Sequence, residues 1–161
     1  MEMARDQLGM ALAHDHRLAR RPKIWLRDLV GERVVLEPRQ LYPRLHADIL
    51  AAARARDVTL AVMAEVPELE SLLALVAIGD AVTFLARKTV ELVSPMTPVV
   101  WRPVVDLDIK LSDVVTWRAK DADMPVVRAL IESAREVRPL LRLDAGPVAS
   151  APSNRGRRKK R

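Results

Sequence analysis

Three groups of residues in this chain carry side chains that could do chemistry. His14-Asp15-His16 sets two imidazoles around a carboxylate, donor types that suit a divalent cation. Histidines two positions apart fit a single tetrahedral site poorly, and no fourth donor stands nearby, so no metal is expected. Asp106, Asp108 and Asp113, with Asp121 and Asp123, could pass for paired acid–base carboxylates. They fall in segments of turn and cap character, where aspartate is favoured for local hydrogen bonding. No histidine, cysteine or G-x-S-x-G element stands near them to complete a nucleophile, and no glycine-rich phosphate loop occurs. Neither an enzyme nor a cofactor is expected on these grounds.

The third group is the strongest candidate. Pro38, Arg39, Gln40, Leu41, Tyr42, Pro43, Arg44 and Leu45 bring two arginines to the start of a predicted helix. Proline suits the first helical position because its missing N–H would be unpaired there anyway. A helix N-terminus presents free N–H groups and about half a positive charge. Arg39 or Arg44 could add a two-pronged fork for a carboxylate. That chemistry favours a small organic anion.

The elements that must hold this loop follow from apolar spacing. Residues 8–13 (LGMALA), 33–36 (RVVL), 58–63, 81–85 (AVTFL), 99–104 and 114–118 are predicted strands. A polar, basic connection over 14–23 is expected, then one or two helical turns over 25–30 ended by Gly31. The first full helix starts at Pro43 and carries the stripe Leu45, Ile49, Leu50 and Ala53. A second opens at Pro67, with Glu68 and Glu70 in its first turn. Its stripe is Leu69, Leu72, Leu73, Val76 and Ala77, and Gly79 stops it. A short helix is expected over 87–93 and a last one over 124–137, burying Val127, Leu130, Ile131, Ala134 and Val137. Strands alternating with helices imply an open, doubly wound α/β sheet with helices on both faces. Such sheets bind ligands outside the carboxyl ends of their strands. Two strand-to-helix junctions qualify, at 38–45 and 65–68.

Composition narrows the class. Half of the 161 residues are apolar, enough for a packed core, and there is no cysteine, which suits a reducing cytoplasm. No apolar run is long enough to span a bilayer, and the start lacks a secretory pattern. The net charge of +6 is matched by Arg155, Arg157, Arg158, Lys159, Lys160 and Arg161, so residues 1–152 are close to neutral. A phosphate-binding surface would carry its own basic stripe. Residues 138–161 read as a disordered basic tail.

The order of these motifs resembles the effector-binding domain of LysR-type transcription regulators. VVLEPRQLYPRLHADILAAARARDVTLAVMAEVPELESLLALVAIGDAVTFLA, residues 34–86, is similar to that domain's second subdomain, closing on a V-A-x-G-x-G-V-x-x-x-P turn written here VAIGDAVTFLA. HDHRLARR with WLRDLVGE resembles the family's H-P-L-A … L-x-D-L-x-G-E run, and VVWRPVVD with DVVTWRAKD matches its closing strands. Ala81 and Ala86 replace the turn's second glycine and closing proline, which implies a slightly different backbone path.

The resemblance implies a periplasmic-binding-protein-like fold over 1–137. One complete subdomain would span about 23–104, with remnants of a second at 7–13 and 110–137. It also implies that Pro43, Arg44 and Leu45 line an effector cleft, with Arg39, Gln40 and Tyr42 beside them and Val115 and Thr116 on the crossing strand. The implied role is a cytoplasmic sensor of a small organic anion, an aromatic or dicarboxylic acid. It would self-associate or pair with an intact regulator, without membrane contact. Sequence-specific DNA binding is not expected, because no helix-turn-helix precedes residue 8. A translated remnant without function is the main alternative, and a transport solute-binding protein a weaker one.

Overall fold

The computed structural model describes residues 1–141. Its six strands are β1 (Glu2–Ala13), β2 (Arg33–Leu36), β3 (Ala61–Glu65), β4 (Val82–Ala86), β5 (Val99–Arg102) and β6 (Lys110–Val114). Its helices are α1 (Pro43–Arg54), α2 (Leu69–Ala77), α3 (Arg87–Val93) and α4 (Pro125–Leu141), with short 3-10 turns at Arg17–Arg20, Leu26–Leu29 and Ala119–Asp121.

The sheet is mixed. Its order is β3-β2-β4-β1-β5, with β6 on β1 beyond β5. β2 runs parallel to both β3 and β4, whereas β1 is antiparallel to β4, β5 and β6. Alternation of side chains across the pleat sorts the core into two layers. On one face Leu8, Met10, Leu12, Val34, Leu36, Val82 and Phe84 pack with Ile49 and Ala53 of α1. On the other Ala11, Val35 and Val99 pack with Leu72, Leu73 and Val76 of α2 and Val90 of α3. Each of the larger side chains contributes about 1.5–3 kcal/mol by leaving water. Helices on both faces and a doubly wound β2-α1-β3-α2-β4 unit are therefore present, as the alternation predicts.

Several boundaries move, each for a physical reason. β1 begins at Glu2, not at residue 8. The apolar run marks only the stretch buried on both faces, while Glu2–Gln7 mixes polar and apolar residues and is held by pairing with β6. β3 starts three residues later than predicted, because Val58 donates to Ala53 O and closes the end of α1. α2 begins at Leu69, after Pro67 and the cap residue Glu68. The predicted 114–118 strand is β6 at 110–114 instead: KLSDV looks less strand-like than VVTWR, but its register runs from Gln7↔Lys110 to Glu2↔Val114. α4 extends through Pro139 to Leu141, so 138–141 is helix and not tail. Pro139 has no N–H to donate to Arg135 O, so the helix forgoes one internal hydrogen bond there. The rest of the predicted tail, 142–161, lies outside the described residues. The connection over 14–23 also contains a 3-10 turn that buries Leu18 and Ala19.

Two sheet positions are exacting. Gly9 lies under the Trp101 ring, and a methyl group there would overlap the ring carbons. Trp101 Nε1 donates to Leu85 O at 3.1 Å and the Arg87 guanidinium sits 5.7 Å from the ring centroid, so the indole is held in place. Gly9→Ala is expected to destabilise by about 1–3 kcal/mol in urea unfolding, the usual cost of overpacking. Thr83, fully buried in β4, has no partner for its hydroxyl. Thr83→Val keeps the shape and removes the orphan group, so it is expected to stabilise by about 1 kcal/mol in the same measurement.

Candidate functional site

The crossover from β2 through α1 to β3 runs over one face of the sheet, and that from β3 through α2 to β4 over the other. The winding across the sheet therefore switches sense at β2, although β2 and β4 run parallel. Connections leaving the two strands diverge to opposite faces, the topology beyond whose strand ends doubly wound sheets take ligands. The loop from Glu37 to Tyr42 and the first turn of α1 follow the end of β2 there.

This loop is strapped down. Leu41 N and Tyr42 N both donate to Pro38 O at 3.0 Å. Arg39 N donates to Glu65 Oε2 at 2.9 Å, tying the loop to the end of β3. The other oxygen, Glu65 Oε1, lies 3.3 Å from Nε2 of the buried His46, off the line of a hydrogen bond. α1 has no side-chain cap at Tyr42, and its first internal bond runs from His46 N to Tyr42 O. The N–H groups of Arg44 and Leu45 thus have no helical acceptor.

Along α1 runs a groove of about 830 Å³. Tyr42, Pro43, Arg44 and Leu45 line its mouth, and Ala51, Ala52, Ile109 and Leu111 its apolar wall. Its charges are already matched: Arg44 Nε lies 3.7 Å from Asp48, Arg56 Nε 3.2 Å from Asp106, and Lys110 Nζ 3.6 Å from Asp108. The Arg44–Asp48 pair is exposed on both sides, and a surface helix pair of this spacing contributes only about 0.3–0.5 kcal/mol. Of the groove's cations, Arg44 and Lys110, each in an exposed pair, are more cheaply diverted to a ligand than Arg56, whose pair is more buried.

Tyr42, Pro43, Arg44 and Leu45 are thus brought together. Arg39 and Gln40 are exposed in the turn before α1 and lie outside the groove lining. Val115 and Thr116 are not brought to it. Val115 exchanges backbone hydrogen bonds with Met1 at the far end of β6, at 2.8 and 2.9 Å. The strand residues that reach the groove are Lys110 and Leu111, some four or five residues earlier, or roughly 15 Å along a strand. This displacement follows from placing the crossing strand four residues too late. Glu65 and Lys110 have site contacts that composition could not show, although Glu65 ends a strand, where cleft residues belong. Among the other candidates, His16 accepts from Leu18 N through Nδ1 and faces Glu32 at 3.2 Å. Asp106 accepts from Leu26 N at 2.9 Å and anchors the 3-10 turn there.

A doubly wound lobe flanked by the antiparallel strands β1 and β6 defines the class: α/β domains of periplasmic-binding-protein-like fold. The family model for the LysR substrate binding domain matches residues 1–139, and the chain belongs to that family. No curated protein matches it in sequence. Solved structures match in fold. The C-terminal domain of a LysR family regulator from Rhodococcus sp. RHA1 aligns with TM-score 0.70 and 22% identity, over 84% of this chain and 66% of that one. A LysR family regulator from Pseudomonas aeruginosa gives 0.68 and 20%, over 83% and 46%. The effector-binding domain of QuiR in complex with shikimate gives 0.62 and 14%, over 89% and 66%. The chain spans about half to two thirds of the length of these structures. The family is one of effector-binding domains of transcription regulators, not of enzymes. Among the described residues no helix is long and apolar enough to cross a membrane.

Glu37, at the carboxyl end of β2, is half-buried and has no ion-pair or hydrogen-bond partner among the described side chains. Burial pushes its carboxyl above the ordinary value of 4.5. A raised carboxylate favours the folded state while protonated, so this contribution is complete below 4.5 and is lost as pH rises through the folded value. Glu37→Gln is therefore expected to raise the melting temperature at neutral pH, with the gain vanishing well below pH 4.5. Equal gains at both pH values would contradict the assignment.

Proposed function

We propose that this chain is an effector-sensing module that holds a small organic anion at the N-terminus of α1. The observation that carries this reading is the uncapped first turn of α1, whose Arg44 and Leu45 line the mouth of the groove beside the weakly engaged Arg44 side chain. A ligand carboxylate would take the N–H groups of these two residues, gain about 0.3–1 kcal/mol from the helix dipole, and draw Arg44 from Asp48. Charged hydrogen bonds to the guanidinium would add about 1.5–3 kcal/mol. Shikimate, which QuiR binds, is itself a small carboxylic acid, and aromatic and dicarboxylic acids offer the same group. Tyr42, Pro43, Arg44, Leu45 and Lys110 form the contact set, with Arg39 and Gln40 on the approach.

In this reading residues 23–104, with the second half of β1 (8–13) inside their sheet, form the ligand-holding subdomain, while 2–7 and 110–137 belong to a second one. The module works in the cytoplasm by association with another regulator chain. It does not read DNA sequence itself, since none of its described helices follows a helix-turn-helix pattern.

Amide shifts on titration with benzoate, shikimate or succinate are the direct test. They are expected to cluster from Arg39 to His46 and at Lys110, at millimolar affinity, because one lobe alone excludes little water. Arg44→Ala is expected to weaken binding several-fold with the melting temperature unchanged, its side chain being almost fully exposed. Shifts centred on His14–His16, or equal responses to neutral and cationic ligands, would refute the anion site.

A further inference from the structure

The groove along α1 offers a ligand one loosely held cation at its mouth and a long apolar wall behind it. Leu45, Asp48 and Ala52 follow one another at spacings of three and four residues, so they share one face of the helix. Ile109, just before β6, and Leu111 within it stand two residues apart and share one face of the strand. Ala52 lies eight positions beyond Arg44, or about 12 Å along the helix.

The polar inventory of the groove is short. Among the described residues that line it there is no serine, threonine, asparagine, glutamine or histidine. Besides the Tyr42 hydroxyl, its polar side chains are three cations and three carboxylates, and these pair one to one. A ligand hydroxyl set against Ala51, Ala52, Ile109 or Leu111 gives up its water for no side-chain partner, which is unfavourable. A second carboxylate placed farther along would stand among Asp48, Asp106 and Asp108, and like charges this close disfavour one another. Arg56 is no ready partner for it. Its guanidinium is held 3.2 Å from Asp106 Oδ2, and the other oxygen of Asp106 accepts from Leu26 N.

We infer the class of anion this groove selects: a monocarboxylate with a linear apolar tail, its head at Arg44 and its tail along Ala51, Ala52, Ile109 and Leu111. The inference rests on the anion reading given above and narrows it. A zigzag carbon chain advances roughly 1.3 Å per bond, so about eight carbons fill most of the distance from the first turn to Ala52. Shikimate, succinate and benzoate share the head contact with such an acid, but none of them reaches the far wall with apolar surface.

A chain-length series on the full chain, followed by amide shifts, tests this: butanoate, hexanoate, octanoate, octanedioate and octan-1-ol. Full burial of one methylene is worth about fourfold in affinity, so about twofold is expected in a groove open to water on one side. Octanoate is then expected to bind at least tenfold more tightly than butanoate. It is also expected to shift the amides of Ala51, Ala52, Ile109 and Leu111, which butanoate leaves in place. Octanedioate is expected to bind at least fivefold more weakly than octanoate. Ala51→Glu, at an exposed helix position, is expected to cost octanoate several-fold more affinity than it costs butanoate. Equal affinities along the series, with shifts that cluster from Arg39 to His46 and depend on Arg44, would overturn the inference and leave the anion site standing. Octanedioate that binds as tightly as octanoate would overturn it too. Octan-1-ol that matches octanoate, with Arg44→Ala without effect on either, would instead refute the anion site itself and this inference with it.

Discussion

The fold depends on the pairing of β1. Over its second half this strand is hydrogen-bonded along both edges, to β4 and to β5, and its alternating side chains reach both core layers. Over its first half it pairs with β6 alone and carries α4 on one face. One continuous twelve-residue strand thus fixes the ligand-holding lobe against the return strand and the last helix. Its central residues tolerate little change. Gly9 is there because the Trp101 ring occupies the space of any side chain, and Ala11 because α2 presses close on that face.

The candidate site inherits its geometry from that strand at one remove. Because β1 takes the far edge of β4, β2 can lie between β3 and β4, and the winding switches sense beside it. The switch sends the loop after β2 over one face at the strand ends, where Glu65 holds it through Arg39 N. Glu65 supplies negative charge close to a helix terminus proposed to take an anion. The two are compatible, because Glu65 is already engaged by a backbone N–H and faces His46, whereas Arg44 and Leu45 N–H are open. Placement of donors, not net charge, favours the anion here. The groove's cations and carboxylates cancel in pairs, and the exposed Arg44–Asp48 and Lys110–Asp108 pairs are weaker than the more buried Arg56–Asp106 pair.

Much of the architecture was legible in the sequence because it rests on local regularities. Pro43 at a helix start, the stripe of Leu72, Leu73 and Val76, the stop at Gly79 and the four-residue β2 each declare themselves within a few positions. The first half of β1 and the whole of β6 did not. Their residues, such as Arg5, Gln7, Lys110 and Asp113, are polar, and they are strands because each is the other's partner across more than a hundred residues. Non-local pairing of this kind leaves no period in either segment. The same gap displaced the crossing-strand part of the site from Lys110 and Leu111 to Val115 and Thr116. The junction at 65–68 was marked, but the contact made by Glu65 was not legible, because a carboxylate that braces a loop through one backbone N–H is indistinguishable in sequence from a solvated one.

α4 shows the complementary limit. Periodicity identified a helix with a broad apolar arc, and Val127, Leu130, Ile131, Ala134 and Val137 read as one buried stripe. The structure divides that arc. Ile131 and Ala134 face β1, while Leu130 and Val137 turn away and join Val126 and Leu140. An arc that wide exceeds what one sheet surface can cover, so the helix satisfies the fold with half of it and leaves the other half available. Hydrophobic patterning reports how much surface a helix must hide, but not how many neighbours share the task. Here the body of the domain accounts for one of them.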